Sequence, residues 1–206
     1  NLFDNAYAQI NGFQVAQGMT DLVMGLHGLR SQTSEQEWRA FAQQDCLAHP
    51  IKSLLHQDPM TRRAFEKPRG YAGDADLLDL IYGLRPVPAE TSSIGAAIYG
   101  FTVQAPAATA VRVRCEMLAS KIDEVAAKIE NPRILSVACG HLREAQRSKA
   151  VTEGRVGEFF ALERLPIPKA DRSVAGTLAP LKLKVRGGLR PGYLYELVCE
   201  AEGPIV

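Results

Sequence analysis

At Asn131-Pro132 the hydrophobic pattern of this chain changes period. Upstream, apolar residues recur three or four positions apart, the spacing of one helix face. Downstream, Arg133–Ala138 is a short apolar run, the pattern of a strand buried on both faces. The tight turn Ala138-Cys139-Gly140 follows, and then a helix expected from Leu142 to Val151, which Glu153-Gly154 breaks. Val156–Leu162 reads as a second strand. Two strands joined through a helix over this distance make a parallel β-α-β unit. Beyond it, Lys169–Leu181 can form a helix weakened by Gly176 and Pro180, and Lys182–Val185 and Leu194–Cys199 are further strand candidates. The alternation predicts an α/β protein: a helical N-terminal region over residues 1–130, then over 131–206 a Rossmann-like, doubly wound, mostly parallel sheet of about four strands.

The turn after the first strand carries the chemistry. A strand that ends where a helix begins leaves several backbone N–H groups unpaired, and these favour an anionic or strongly accepting ligand. Gly140 lets the backbone turn sharply and lets a ligand approach. Of the three glycine positions in such a turn only 140 holds glycine, with Ala138 and Leu142 at the other two. The complementary feature is an acid at the end of the next strand, which accepts hydrogen bonds from ribose hydroxyls. Glu163 stands there, 23 positions after Gly140. An ordinary strand–turn–helix without a ligand accounts for the same residues. There is no GK[ST] sequence, which argues against a P-loop, and the poor match to GxGxxG argues against a dinucleotide redox enzyme.

In the N-terminal region Leu22, Val23, Leu26 and Leu29 keep helical spacing up to a break at Ser31–Ser34. Thr33 or Ser34, followed by Glu35 and Glu37, has the form of a helix N-terminus. The helix it opens carries Trp38, Phe41 and Ala42 on one face and ends at His49-Pro50. Short elements pass through Leu54-Leu55 and Leu77–Ile81, and Arg85–Ser93 reads as a loop. A long amphipathic helix then runs from about Ala105 to Ile129, with Val111, Cys115, Leu118, Ile122 and Val125 on its apolar side.

Composition excludes several classes. With 46% hydrophobic and 23% charged residues in 206, the chain has the make-up of a folded globular protein. A net charge of +1 gives no global field for nucleic acid or an anionic membrane. Residues 131–206 carry 12 basic and 8 acidic groups, a net of +4, which suits an anionic ligand and is equally explained by solvated surface. Cys46, Cys115, Cys139 and Cys199 form no CxxC pair, so neither a zinc site nor a disulfide framework is expected, and the reading is a reducing, cytoplasmic compartment. No apolar run of about 18 residues is present to span a bilayer.

Two stretches carry a resemblance. Ile134–Ala145 (ILSVACGHLREA) resembles the first motif of class I S-adenosylmethionine-dependent methyltransferases. His56–Tyr82 (HQDPMTRRAFEKPRGYAGDADLLDLIY) is similar to one bacterial branch of that superfamily, whose members make a fatty-acid methyl ester quorum-sensing signal of the 3-hydroxypalmitic acid methyl ester type. The similarity runs from about Trp38 to Leu162, and the upstream stretch is the more specific part. The branch carries an Asp-x-Asp pair after the second strand, where this chain has Glu163-Arg164-Leu165. The strand set expected here is also smaller than that family's, so a truncated or divergent C-terminal part is expected.

The resemblance implies a methyltransferase with S-adenosylmethionine as cofactor and a small-molecule acceptor, a (3-hydroxy) fatty acid or similar acid, with no nucleic acid partner and with a homo-oligomer allowed. Four cations within eight residues, Arg62, Arg63, Lys67 and Arg69, precede Gly70-Tyr71-Ala72-Gly73-Asp74. In this setting Arg69 pairs with a carboxylate of cofactor or acceptor. Tyr71 lines the transfer site, Gly73 and Asp74 border the cofactor, and Asp74 orients Arg69 or caps the helix from Ala75. Arg62 and Arg63 read as solvated surface. Ala138, Cys139, Gly140 and His141 form the cofactor turn with Glu163, and His141 is a candidate base or simply the start of a helix. A carboxylate acceptor is already ionised at neutral pH and needs no strong base, in keeping with the lack of any Ser-His-Asp or Cys-His set. The alternative is a catalytically inactive, methyltransferase-like module that binds a ligand or partner.

Overall fold

The computed structural model describes residues 1–163, 181–186 and 195–201. The chain divides into two compact units, Asn1–Thr109 and Ala110–Val206.

The first unit is helical, and side-chain caps set its boundaries. Asn1 and Asp4 close a capping box on α1 (Leu2–Asn11), and α2 spans Val15–Ser31. Ser34 caps α3 (Glu35–Phe41) with Glu37 reaching back to it, the N-terminus that the sequence predicts. A π-helical turn, Ala42–Cys46, precedes α4 (Ile51–Leu55). Then come α5 (Pro59–Glu66), α6 (Ala75–Tyr82), α7 (Ser93–Thr102) and α8 (Pro106–Lys128), the last running on into the second unit. One core cluster gathers Phe3, Ala6, Leu22 and Ile51; another gathers Ile10, Val15, Met19, Leu54 and Ile98.

Three of these helices, α1, α5 and α7, are not among the sequence expectations. The buried Asp58 carboxylate shows why α5 and α7 form. It accepts the N–H groups of Met60 and Thr61 at the start of α5, and the Thr102 hydroxyl of α7 at 3.0 Å. Gly95 lets α7 close in: a Cβ there would lie 2.2 Å from the Gln57 carbonyl oxygen.

In the second unit, β1 (Arg133–Val137) pairs in parallel with β2 (Glu158–Glu163). Together with β3 (Leu181–Arg186) and β4 (Tyr195–Ala201) they form a sheet of order β1-β2-β4-β3. The α/β class holds. The mostly parallel sheet does not, because β4 runs antiparallel to both β2 and β3. Only residues 187–194 separate β3 from β4, too few for a crossover to a parallel neighbour, which takes a dozen or more. The helix anticipated over Lys169–Leu181 falls, save Leu181 in β3, outside the described residues.

The single helix expected from Leu142 to Val151 is instead α9 (Arg143–Arg147) and α10 (Lys149–Thr152), because Ser148 is extended and caps the second. The core of this unit packs Ile122 of α8 against Leu142, Val151, Val156 and Phe159. β1 is not buried on both faces as its apolar run suggests. Leu135 and Val137 are 59% and 61% exposed, while Ile134 and Ser136 are partly covered. On α8, Cys115 and Ile122 are buried, whereas Leu118 and Val125 of the expected apolar side are exposed.

Candidate functional site: a left-handed turn and an arginine–aspartate cassette

The turn after β1 has an unusual backbone. Ala138, Gly140 and Leu142 all have positive φ, at 54°, 55° and 53°. These are the three positions at which such a turn favours glycine, and at two of them an L side chain holds the left-handed conformation. The chain thereby reverses sharply from β1 into α9. Cys139 and His141, between these residues, point inward and are buried. Beneath the turn the Ser136 hydroxyl donates to Glu144 at 2.9 Å, joining β1 to the first turn of α9.

Glu163 ends β2. Because β1 and β2 are parallel, with Val137 opposite Leu162, the turn and Glu163 emerge at the same end of the sheet. This juxtaposition of backbone follows from the pairing. On its other side Glu163 pairs with Tyr195 of β4.

The second constellation lies in the first unit. Asp74 is buried and caps α6 through the Leu77 N–H at 3.0 Å. The same carboxylate receives a two-pronged contact from Arg63, with Nε at 2.7 Å and an Nη at 2.6 Å. Arg63 reaches it because α5 packs on α6. Arg63 is therefore not the solvated surface residue that the sequence suggested. Arg69 lies 3.9 Å from Asp74 and 3.1 Å from Asp76. Arg63 and Arg85 also reach Asp76, at 2.5 and 2.9 Å, so that three guanidinium groups surround one carboxylate. Arg62 stands apart on the surface with Glu66.

Burial pushes the Asp74 carboxyl upward, but the Arg63 hydrogen bond, the Leu77 N–H and the two guanidinium charges outweigh it and leave it below the usual carboxylate range. The hydrogen bond to Asp74 in turn raises Arg63. Lys67 ends α5 in the left-handed conformation, and Gly70 and Gly73 both have positive φ with open space where a Cβ would stand. The loop they form presents Tyr71 partly to solvent.

Each set is thus assembled within its own unit: residues 138–141 and Glu163 in the second, Arg69, Tyr71, Gly73 and Asp74 in the first. Sequence reasoning missed Asp76 and Arg85. The available signal was an unbalanced group of cations ahead of a helix opening with two aspartates. Among the described residues no group of three or more His, Cys, Asp or Glu side chains is disposed to hold a metal ion, and no single helix is long and apolar enough to cross a membrane. Compared with protein-family models, curated proteins and solved structures, the chain matches none.

Proposed function

We propose that the chain is an S-adenosylmethionine-dependent methyltransferase of Rossmann-like framework, acting on the carboxylate of a (3-hydroxy) fatty acid or a similar small acid. The observation that carries this reading is the turn at 138–142. Its left-handed path at alternate residues brings backbone close to any ligand above the strand end, and it stands at the same sheet end as Glu163. In this reading the backbone of Ala138–His141 wraps the cofactor, and Glu163 accepts its ribose hydroxyls. The bound cofactor supplies an electrophilic methyl group on sulfonium. The chain's own residues align the acceptor and exclude water. Arg69 holds the acceptor carboxylate, Tyr71 lines its path, Gly73 and Asp74 shape the loop, and His141 stands next to the turn glycine.

Calorimetric titration with S-adenosylmethionine tests the cofactor. The wild type binds, and Gly140→Val, which places a β-branched residue at φ 55°, does not. A wild type without binding heat, and without displacement of a fluorescent cofactor analogue, sinks the assignment.

A second reading, a methyltransferase-like module that binds without turnover, is favoured by one observation. The Arg69 guanidinium, needed for an acceptor carboxylate, already rests 3.1 Å from Asp76. Turnover with labelled cofactor and 3-hydroxy fatty acids separates the two: binding together with transfer supports the enzyme, and binding alone supports the module.

A further inference from the structure

Among the described residues the sheet order β1-β2-β4-β3 leaves β1 and β3 as its two edges. An edge strand presents unpaired N–H and C=O groups that pair readily with another strand, and proteins guard such edges with charged side chains. The two edges differ in this respect. β3 carries Lys182, Lys184 and Arg186 at alternate positions. Antiparallel self-pairing centred on Lys184 would oppose cation to cation along its length, so this edge is guarded against a second copy.

β1 lacks that guard. Its sequence is Arg-Ile-Leu-Ser-Val, and among the described residues β2 is its one strand partner. The one charge, Arg133, is tied sideways to Glu158 and lies over the Phe160 ring. Leu135 and Val137 are exposed, as are Leu118 and Val125 on the neighbouring flank of α8. Between that flank and β1 runs a groove of about 340 Å³ lined by these leucines, Val125, Ile134 and Phe159. A strand edge without a partner among the described residues, beside a groove whose wall is mostly apolar, marks a contact surface.

The pattern of β1 is complementary to itself. An antiparallel pair of β1 strands centred on Leu135 sets Leu135 against Leu135 of the second copy, Arg133 against Val137, and Ile134 against Ser136. No like charges meet. A two-fold axis through the pair gives the closed, isologous arrangement commonest among homo-oligomers. We propose that the chain forms a homodimer through the open edge of β1, with the second copy's β1 continuing the sheet and the exposed flank of α8 closing over the junction. This inference does not depend on the cofactor reading.

The test is the mass of the full chain in solution by light scattering after size-exclusion chromatography. The wild type runs at twice the monomer mass. Leu135→Arg, at a position exposed in the single chain, halves it with unchanged circular dichroism. Met24→Lys, at an exposed site in the first unit, leaves the dimer intact. Under mild oxidation Leu135→Cys gives a covalent dimer, because residue 135 meets its own copy. Val137→Cys, which faces residue 133, and the wild type do not. A wild type that stays monomeric at its highest soluble concentration overturns the proposal. So does a dimer that survives Leu135→Arg, or one in which Leu135→Cys fails to cross-link.

Discussion

Ala138 and Leu142 hold the same left-handed backbone as Gly140 for different reasons. Leu142 is buried in the core of the second unit, which compensates its strain. Ala138 is exposed and has no such compensation. A non-glycine residue in this conformation costs about 1–2 kcal/mol, and glycine adds about 0.4–1 kcal/mol of unfolded-state freedom. Ala138→Gly is therefore expected to stabilise the protein by about 0.5–1 kcal/mol, measured by urea denaturation. Leu142→Gly relieves the same strain but empties a core position and costs about 2–3 kcal/mol. Asp74 is the other residue where opposing terms meet. Asp74→Asn keeps the shape of the helix cap but removes one of the two carboxylates that Arg63 holds, leaving it Asp76 alone, at about 1–2 kcal/mol, discounted from the fully buried case because Arg63 keeps that second anion and some solvent; Asp74→Ala adds the lost cap, about 1 kcal/mol. Since the folded state holds the Asp74 carboxyl below its ordinary range, that stabilisation is complete above the unfolded value near 3.9 and is lost as pH falls through the folded one. The acid limb of a stability–pH profile is expected to be shallower in Asp74→Asn than in the wild type, and identical limbs would remove Asp74 from the account.

At the scale of elements, what the sequence made legible were the features written in local pattern. The Ser34–Glu37 capping box, the long helix now seen at Pro106–Lys128, and the strands at 133–137 and 158–163 all follow from caps and periodicity over neighbouring residues. That the turn and Glu163 stand at the same end of the sheet was legible because parallel pairing aligns their strand ends. What stayed hidden depends on contacts distant in sequence. α5 and α7 are short and are tied together through Asp58 and Thr102, 44 positions apart. The partner of Asp74 is selected by the packing of α5 on α6, not by nearness in the chain, which would favour Arg69. The orientation of β4 rests on the short link from β3. The same kind of distant tie holds α10 to α8. Asp123 accepts the Ser148 hydroxyl at 2.6 Å and the Ala150 N–H at 2.8 Å, and these bonds outweigh burial to keep its carboxyl below the ordinary range. Asp123→Ala strips the start of α10 of these acceptors, with an expected loss of about 2 kcal/mol. Ser148→Ala leaves the Asp123 bonds to the backbone in place and is expected to cost about 1 kcal/mol. Chemical denaturation checks both, and equal losses would contradict the ranking.

At the scale of the whole molecule, the two candidate constellations belong to different compact units, so a ligand that uses both must report in both. Amide hydrogen exchange separates the possibilities. If S-adenosylmethionine binds at the turn alone, protection rises at residues 137–142 and near Glu163 and nowhere in the first unit. If the loop of Lys67–Asp74 completes the site, protection rises there as well, because a ligand held by that loop slows the local opening through which its amides exchange. The proposed roles of Arg69, Tyr71, Gly73 and Asp74 require the second outcome. At about 100 times its dissociation constant the cofactor raises the unfolding free energy by about 2.7 kcal/mol, provided that it binds only the folded chain. Arg69→Ala is then a sharp control. It leaves Asp74 paired with Arg63, so folding survives, while the protection at 67–74 that accompanies a carboxylate-bearing acceptor is lost and that at 137–142 is kept. Protection confined to 137–142 in the wild type, with cofactor and acceptor both present, would assign the cassette to holding the first unit together and leave the second unit as the sole binding surface.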